Sequence, residues 1–325
     1  MLRNPFISLK SILILGTLTM AATMSSCLKE PDEPNNNTDG AARARIEITD
    51  APIDDPNVTA VFITVVDVKV NGVSWSGFSG KTTFDLLAFQ KGQTNLLGEG
   101  ILNAGTYTEV TLVLDTETDI HGASPGCYVK DAQGMKRKLD GGSQMAVKAK
   151  GSFDTRADET TVAIVDLDLR KAIVYQLGST TEFQFVTDPE LAASVRLMDK
   201  ATTGNILGDC TDGVSGSDKI IVYAYKTGEY GVTEKFPQGT SQVYFKNAVT
   251  SSVVADDGTI SLSFLKSGTY ELHFISYQKD ALGHLQAKGE LQLNVLGPAL
   301  NLLSMEVTAR ETINLDLVVT GILFF

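Results

Sequence analysis

Val58-Thr59-Ala60-Val61-Phe62-Ile63-Thr64-Val65-Val66-Asp67-Val68-Lys69-Val70 decides the fold of this chain. Val61, Ile63 and Val65 recur at every second residue and therefore share one face of an extended backbone. Val66, Val68 and Val70 repeat the pattern one residue out of phase. One extra residue in a strand produces such a slip, so the stretch reads as a long strand with a bulge or corner at Val65–Val66. A helix would need apolar residues three and four apart, and a run this rich in β-branched side chains opposes it further.

The same alternation recurs on both sides. Met145, Val147 and Ala149 oppose Lys148 and Lys150. In Thr161–Leu169, Val165, Leu167 and Leu169 are expected inward, with Asp166 and Asp168 outward. Asp257-Gly258, between Val253-Val254 and Thr259-Ile260-Ser261-Leu262, is a tight-hairpin signal. Asn71-Gly72, Gly141-Gly142 and Lys266-Ser267-Gly268 mark other reversals. Pro189–Val195 is the one short helix expected. Many short strands with frequent turns imply an all-β chain of two antiparallel β-sandwich domains in tandem. Asp199–Gly204 reads as their boundary, giving domains at 43–198 and 203–325. An internal echo links them: Ala104-Gly105-Thr106-Tyr107 and Ser267-Gly268-Thr269-Tyr270 each place a turning glycine before a strand-opening tyrosine. The tyrosine is expected to bury its ring while its hydroxyl reaches a loop.

The chain has 325 residues, enough for two domains. Its N-terminus carries Arg3 and Lys10, then the uncharged Ser11–Ala22, then Met24-Ser25-Ser26-Cys27. The apolar part is short for a membrane span and suits a secretory signal. The segment resembles a bacterial lipoprotein signal, which implies acylation of Cys27 and removal of residues 1–26; an ordinary signal with a coincidental cysteine is the alternative. Residues 27–42 then form a lipidated tether with little to bury, expected to be disordered. Leu28-Lys29-Glu30-Pro31-Asp32-Glu33 resembles a lysine-plus-acidic export signal for the outer face of the outer membrane. A solvated linker on a periplasm-facing lipoprotein is the other reading. Without Arg3 and Lys10 the 27 basic residues become 25 against 39 acidic, a net charge of −14. That sign excludes nucleic acid as a natural partner. Cys127 and Cys210 show no metal spacing and are expected to be unbridged, although an exported protein permits a disulfide.

Two families enter on specific residues. Ile48-Thr49-Asp50-Ala51-Pro52, followed in order by Trp75, Asp85-Leu86-Leu87, Ala104-Gly105-Thr106-Tyr107 and Asp166-Leu167-Asp168, resembles the domain of unknown function 4382 family. The resemblance runs over roughly residues 43 to 198 and implies a β-sandwich with no established activity. Gly204-Asn205-Ile206-Leu207-Gly208, Val222-Tyr223-Ala224, Asp257-Gly258-Thr259-Ile260-Ser261-Leu262 and Gly268-Thr269-Tyr270 resemble carboxypeptidase-regulatory-like, transthyretin-type domains. These imply a spacer or binding platform. A long insertion between Tyr225 and Val254 departs from that pattern.

Chemistry is harder to find. Asp166 and Asp168 could share a cation or a proton, but their surroundings are those of any half-exposed strand, and a solvated face is expected. Asp50 is expected to brace the turn before Pro52. His121, His273 and His284 are scattered, with His273 expected to point outward. No nucleophile elbow, phosphate loop or zinc signature occurs, so neither catalytic residues, metal nor cofactor are expected. Trp75 and Phe78, in an Asn-Gly-flanked loop, are the candidate ligand contacts, with Trp75 as a plug of the sandwich end as the alternative. The expected function is a non-catalytic, surface-exposed outer-membrane lipoprotein, monomeric, anchored through lipid on Cys27 and binding an unknown glycan or protein. A fimbrillin-like pilus subunit is the alternative, with Arg43 and Arg45 placed where such proteins are trimmed. A hydrolase with a site assembled from distant loops is the third reading.

Overall fold

A computed structural model describes residues 40–51, 58–142, 144–175, 182–281, 283–297 and 300–325. Cys27, tether residues 28–39 and Pro52 lie outside them, but Ala41 and Ala42, expected in the disordered tether, open the strand Ala41–Ala51 because they pair with Asn103 and Leu102. Among the described residues the regular structure is mainly strand, arranged in two sheets of 13 and 8 strands. The chain passes from the first sheet to the second between the strands Val195–Asp199 and Thr203–Thr211.

The strand Val58–Val70 forms a corner of the first sheet. Its register slips between Val65 and Asp67, leaving Val66 as the extra residue. Before the slip it pairs with Tyr128–Asp131 and Thr82–Asp85; after it, with Gly105–Asp115 and Val73–Ser74. Val61, Ile63, Val65, Val68 and Val70 all end in one core. That core also takes Ile46 and Ile48 from one end of the strand path and Phe183 and Phe185 from the other, so the path folds over on itself. Most pairings are antiparallel, but Ala41–Ala51 runs parallel to Thr160–Asp168, and Thr203–Thr211 parallel to Thr312–Phe324. Strands distant in sequence meet there without a hairpin to force opposite directions.

Gly105 and Gly268 both adopt positive φ at the start of a strand. Tyr107 then donates its hydroxyl to the Asn103 carbonyl at 2.9 Å, and Tyr270 to that of Lys266 at 2.7 Å. The echo is therefore one structural device used twice: a bent strand entry tied down by a tyrosine two residues after the glycine, its hydroxyl on the carbonyl four residues back.

Three expectations change. The helix spans Asp188–Ala193, and Val195 belongs to a strand opposite Leu167. The Asp257-Gly258 turn forms, but its arms part: Thr250–Val253 pairs with Lys219–Lys226, and Thr259–Lys266 with Thr203–Thr211. Ser252 Oγ takes the Ser261 N–H at 3.1 Å where a hairpin would place a carbonyl. Lastly, Thr161–Leu169 has no solvated face. Ile164, Asp166 and Asp168 are as buried as Val165 and Leu167, because Phe264 of the second sheet packs on the outer side against Ile164 and Met198.

The insertion after Tyr225 explains further burial. Residues 227–249 lie over the outer face of Lys219–Lys226, where Phe245 stacks on Tyr223 at 4.4 Å. Its backbone carbonyls at Tyr244, Phe245 and Ala248 accept hydrogen bonds from Arg170 and Lys171 of the first sheet.

Candidate functional site

The loop carrying Trp75 and Phe78 is pinned flat against the strand Asn95–Asn103. Trp75 is 5% exposed, and its indole N–H donates to the Ile101 carbonyl at 3.3 Å. Gly98 and Gly100 make this approach possible: a Cβ on either would stand 2.3 Å from the Gly77 carbonyl oxygen or 2.6 Å from its Cα. Phe78 is half-buried and packs on the core edge. Trp75 offers no free ring face, and the loop's open surface is Ser76, Ser79, Gly80 and part of Phe78.

The densest polar chemistry lies instead where the halves meet. Asp166 is held by Arg196 through both Nε, at 3.0 Å, and Nη2. Asp168 receives Arg170 Nη2 at 3.0 Å and lies 3.2 Å from Lys171 Nζ. Burial opposes its ionisation, but Arg170 and Lys171 prevail and hold its pKa below the usual carboxylate range. The expectation of two solvated carboxylates fails because their strand faces a second sheet. Asp50 has no such counter-ion. Its Oδ1 accepts the Leu169 N–H at 3.3 Å, so it braces the end of Thr160–Asp168. Burial, then the charges of Asp166 and Asp168, push its pKa well up. Asp166-Leu167-Asp168 followed, after Leu169, by Arg170-Lys171 was the available signal of a buried ion network, because a solvated strand has no need of matched charges so close.

Beside this network a cavity of about 190 Å³ opens between the sheets. Asp50, Asp166 and Ser251 are buried in its wall, and Lys91, Gly92 and Ala255 stand nearer its mouth. The parted arms at Ser252 and Ser261 supply one side. Thr49 Oγ1, 2.9 and 2.7 Å from the Phe89 and Gln93 carbonyls, holds the loop that supplies the other.

His273 is buried rather than outward, because residues 227–249 cover its strand. Its ring stacks on Tyr230 at 3.6 Å and its Nδ1 lies 2.6 Å from Glu290 Oε1. Nearby Glu234 is fully buried and accepts Tyr225 Oη, Gln238 Nε2 and the Asn247 backbone and side-chain N–H groups. Burial first, then Glu234, raises the Tyr225 pKa. The Glu234 carboxylate is satisfied by these donors, whereas the buried Nε2 of His273 has no hydrogen-bond partner and lies 3.8 Å from Glu271 Oε2.

Cys127 and Cys210 are free and buried, the first in the first core and the second in the other. Burial pushes their thiols up to about 12 and about 11. Among the described residues no three His, Cys, Asp or Glu side chains converge to hold a metal, and no helix is long and apolar enough to cross a membrane.

An all-β protein with a buried polar joint is the class these features define. Residues 41–186 match the family described as Domain of unknown function (DUF4382). No curated protein matches the chain. Among solved structures, the Bacillus anthracis TIE protein is 11% identical with a TM-score of 0.19; the match covers 86% of this chain and 34% of that one, so this chain spans about a third of its length. BcpA, the major pilin subunit of Bacillus cereus, is 9% identical over 86% of this chain and 70% of its own, with a TM-score of 0.22. The fimbrial anchor protein Mfa2 from Porphyromonas gingivalis is 13% identical over 87% and 97%, with a TM-score of 0.21. At such scores none of the three defines a role for this chain.

Proposed function

We propose that this protein is a non-catalytic lipoprotein, anchored to the outer membrane through lipid on Cys27, whose two β-rich halves act as a surface binding or structural module. The observation that carries the reading is the charged-then-apolar leader ending in Met24-Ser25-Ser26-Cys27, followed by a polar tract with nothing to bury. The buried acids and histidine support the non-catalytic part, since most are spent on ion pairs and hydrogen bonds that join strands. On this reading residues 203–325 serve as a carboxypeptidase-regulatory-like, transthyretin-type spacer, and ligand contact runs through loops, with Phe78 touching the ligand and Trp75 holding the loop in place.

Mass spectrometry of the N-terminal peptide tests the anchor: an acylated Cys27 is expected, and Cys27→Ala should release the protein from membranes. An unmodified Cys27 would end the localisation argument. Glycan and peptide arrays probed with the mature protein test the binding role. Incubation with an Arg-specific protease separates it from the pilin alternative. A persistent monomer fits a binding module, whereas filaments after cleavage at Arg43 or Arg45 would replace it with a pilus subunit.

A further inference from the structure

Three oxygen atoms in the inter-sheet cavity lack a hydrogen-bond partner: Asp50 Oδ2, Asp166 Oδ1 and Ser251 Oγ. Their residues are 7%, 3% and 3% exposed, so bulk water does not satisfy them. An unpaired polar atom at this depth destabilises the fold, more so when it carries charge. Native proteins seldom leave such atoms open without reason.

Around these atoms the wall is built from oxygen acceptors and from hydroxyls already in use. Ser252 Oγ is engaged with Ser261 N and the Val253 carbonyl, and the Ser261 and Ser263 hydroxyls bond to each other at 3.1 Å. Arg196 approaches Asp166 through Oδ2 only. The cation near the mouth, Lys91, directs its Nζ to Thr259 Oγ1 at 3.3 Å. Gly92 beside it has φ +76°, and a Cβ there would stand 2.6 Å from Ser263 Oγ, so the loop lies close against the second sheet. The Asp166 carboxylate repels an anion, and a bound cation would offset the burial and neighbouring negative charges that oppose ionisation of Asp50. A divalent metal finds too few acidic ligands, since no three ligating groups converge among the described residues. An ammonium group, in contrast, carries one positive charge and three N–H donors.

We propose that the cavity between the sheets is a binding site for a small primary amine, whose ammonium donates to Asp50, Asp166 and Ser251. The volume of about 190 Å³ leaves room for carbon atoms behind the nitrogen. The cavity's chemistry does not depend on how the chain is anchored, so the site stands or falls apart from the lipoprotein reading.

Thermal unfolding and isothermal titration of the full chain with ethylammonium chloride test it, with tetramethylammonium chloride at equal ionic strength as the control. Tetramethylammonium has the same charge and no N–H donor. Ethylammonium should bind saturably and raise the unfolding midpoint while tetramethylammonium does neither. Asp50→Asn should weaken binding about tenfold or more, the worth of one charge-assisted hydrogen bond. Ser251→Ala removes only a hydroxyl, keeps the fold testable, and should weaken it severalfold. Equal effects of the two cations would reduce the result to general electrostatics and overturn the proposal. So would an absence of ethylammonium binding, or stabilisation by calcium chloride alone.

Discussion

Arg170→Met should nearly detach the insertion that covers the second sheet. The Arg170 guanidinium is 3% exposed and donates to the Tyr244 and Phe245 carbonyls at 2.8 and 2.9 Å and to Asp168 at 3.0 Å. It also lies 5.1 Å from the Tyr223 ring centroid. Removing one partner of a buried ion pair costs about 3–5 kcal/mol. Lys171 Nζ, 3.2 Å from the same Asp168 oxygen, retains part of the compensation. Two carbonyls lose their donor at about 1–3 kcal/mol each where water does not replace it. Allowing for overlap among these terms, a loss of about 4 kcal/mol is expected, a large share of a typical 5–15 kcal/mol. Urea unfolding of wild type, Arg170→Met, Asp168→Asn and the double variant measures it, with a coupling of about 2 kcal/mol expected from neighbouring groups. Amide exchange in residues 234–249 should quicken in the single Arg170 variant. A loss under about 1 kcal/mol with zero coupling would refute the view that this ion network holds the halves together.

Asp50→Asn should change the pH dependence of stability. The folded pKa of Asp50 is raised, so its contribution is full below the unfolded carboxylate pKa near 4 and is lost as pH rises through the folded value. The variant's midpoint relative to wild type should therefore climb as pH rises above about 4; a flat difference would show that Asp50 ionises freely. Cys127 and Cys210, their thiols pushed up to about 12 and about 11, should resist alkylation at neutral pH until denaturant is added. Rapid labelling of the native protein would contradict their burial. Gly151→Ala should lower stability by about 3 kcal/mol or prevent folding, because its Cβ would stand 1.8 Å from the Leu197 carbonyl oxygen. Circular dichroism melts of that variant check it.

The sequence made the strands legible because one buried face leaves a period of two. Met145, Val147 and Ala149 are buried and Lys148 and Lys150 exposed, as alternation requires. The bulge at Val66 was legible for the same reason, since a phase change in an apolar pattern has few other causes. What alternation cannot express is a second layer on the polar face. Asp166 and Asp168 look alike whether they meet water or Arg196 and Arg170. The covering role of residues 227–249 was equally hidden, since Phe245 and the Tyr244 carbonyl act through contacts remote in sequence. The parted hairpin turned on one hydroxyl, Ser252, standing in for a backbone acceptor.

The parallel ladders have a mechanical meaning. The strand Ala41–Ala51 is hydrogen-bonded along both edges, to Thr160–Asp168 and to Asn95–Asn103. The strand Thr312–Phe324 is likewise held between Leu285–Val295 and Thr203–Thr211. A pull along either strand must shear two rows of hydrogen bonds at once, whereas a strand at a free edge peels away one bond at a time. Load entering through these two strands is thus shared across whole ladders, and rupture under tension is expected at forces well above those that open a hairpin.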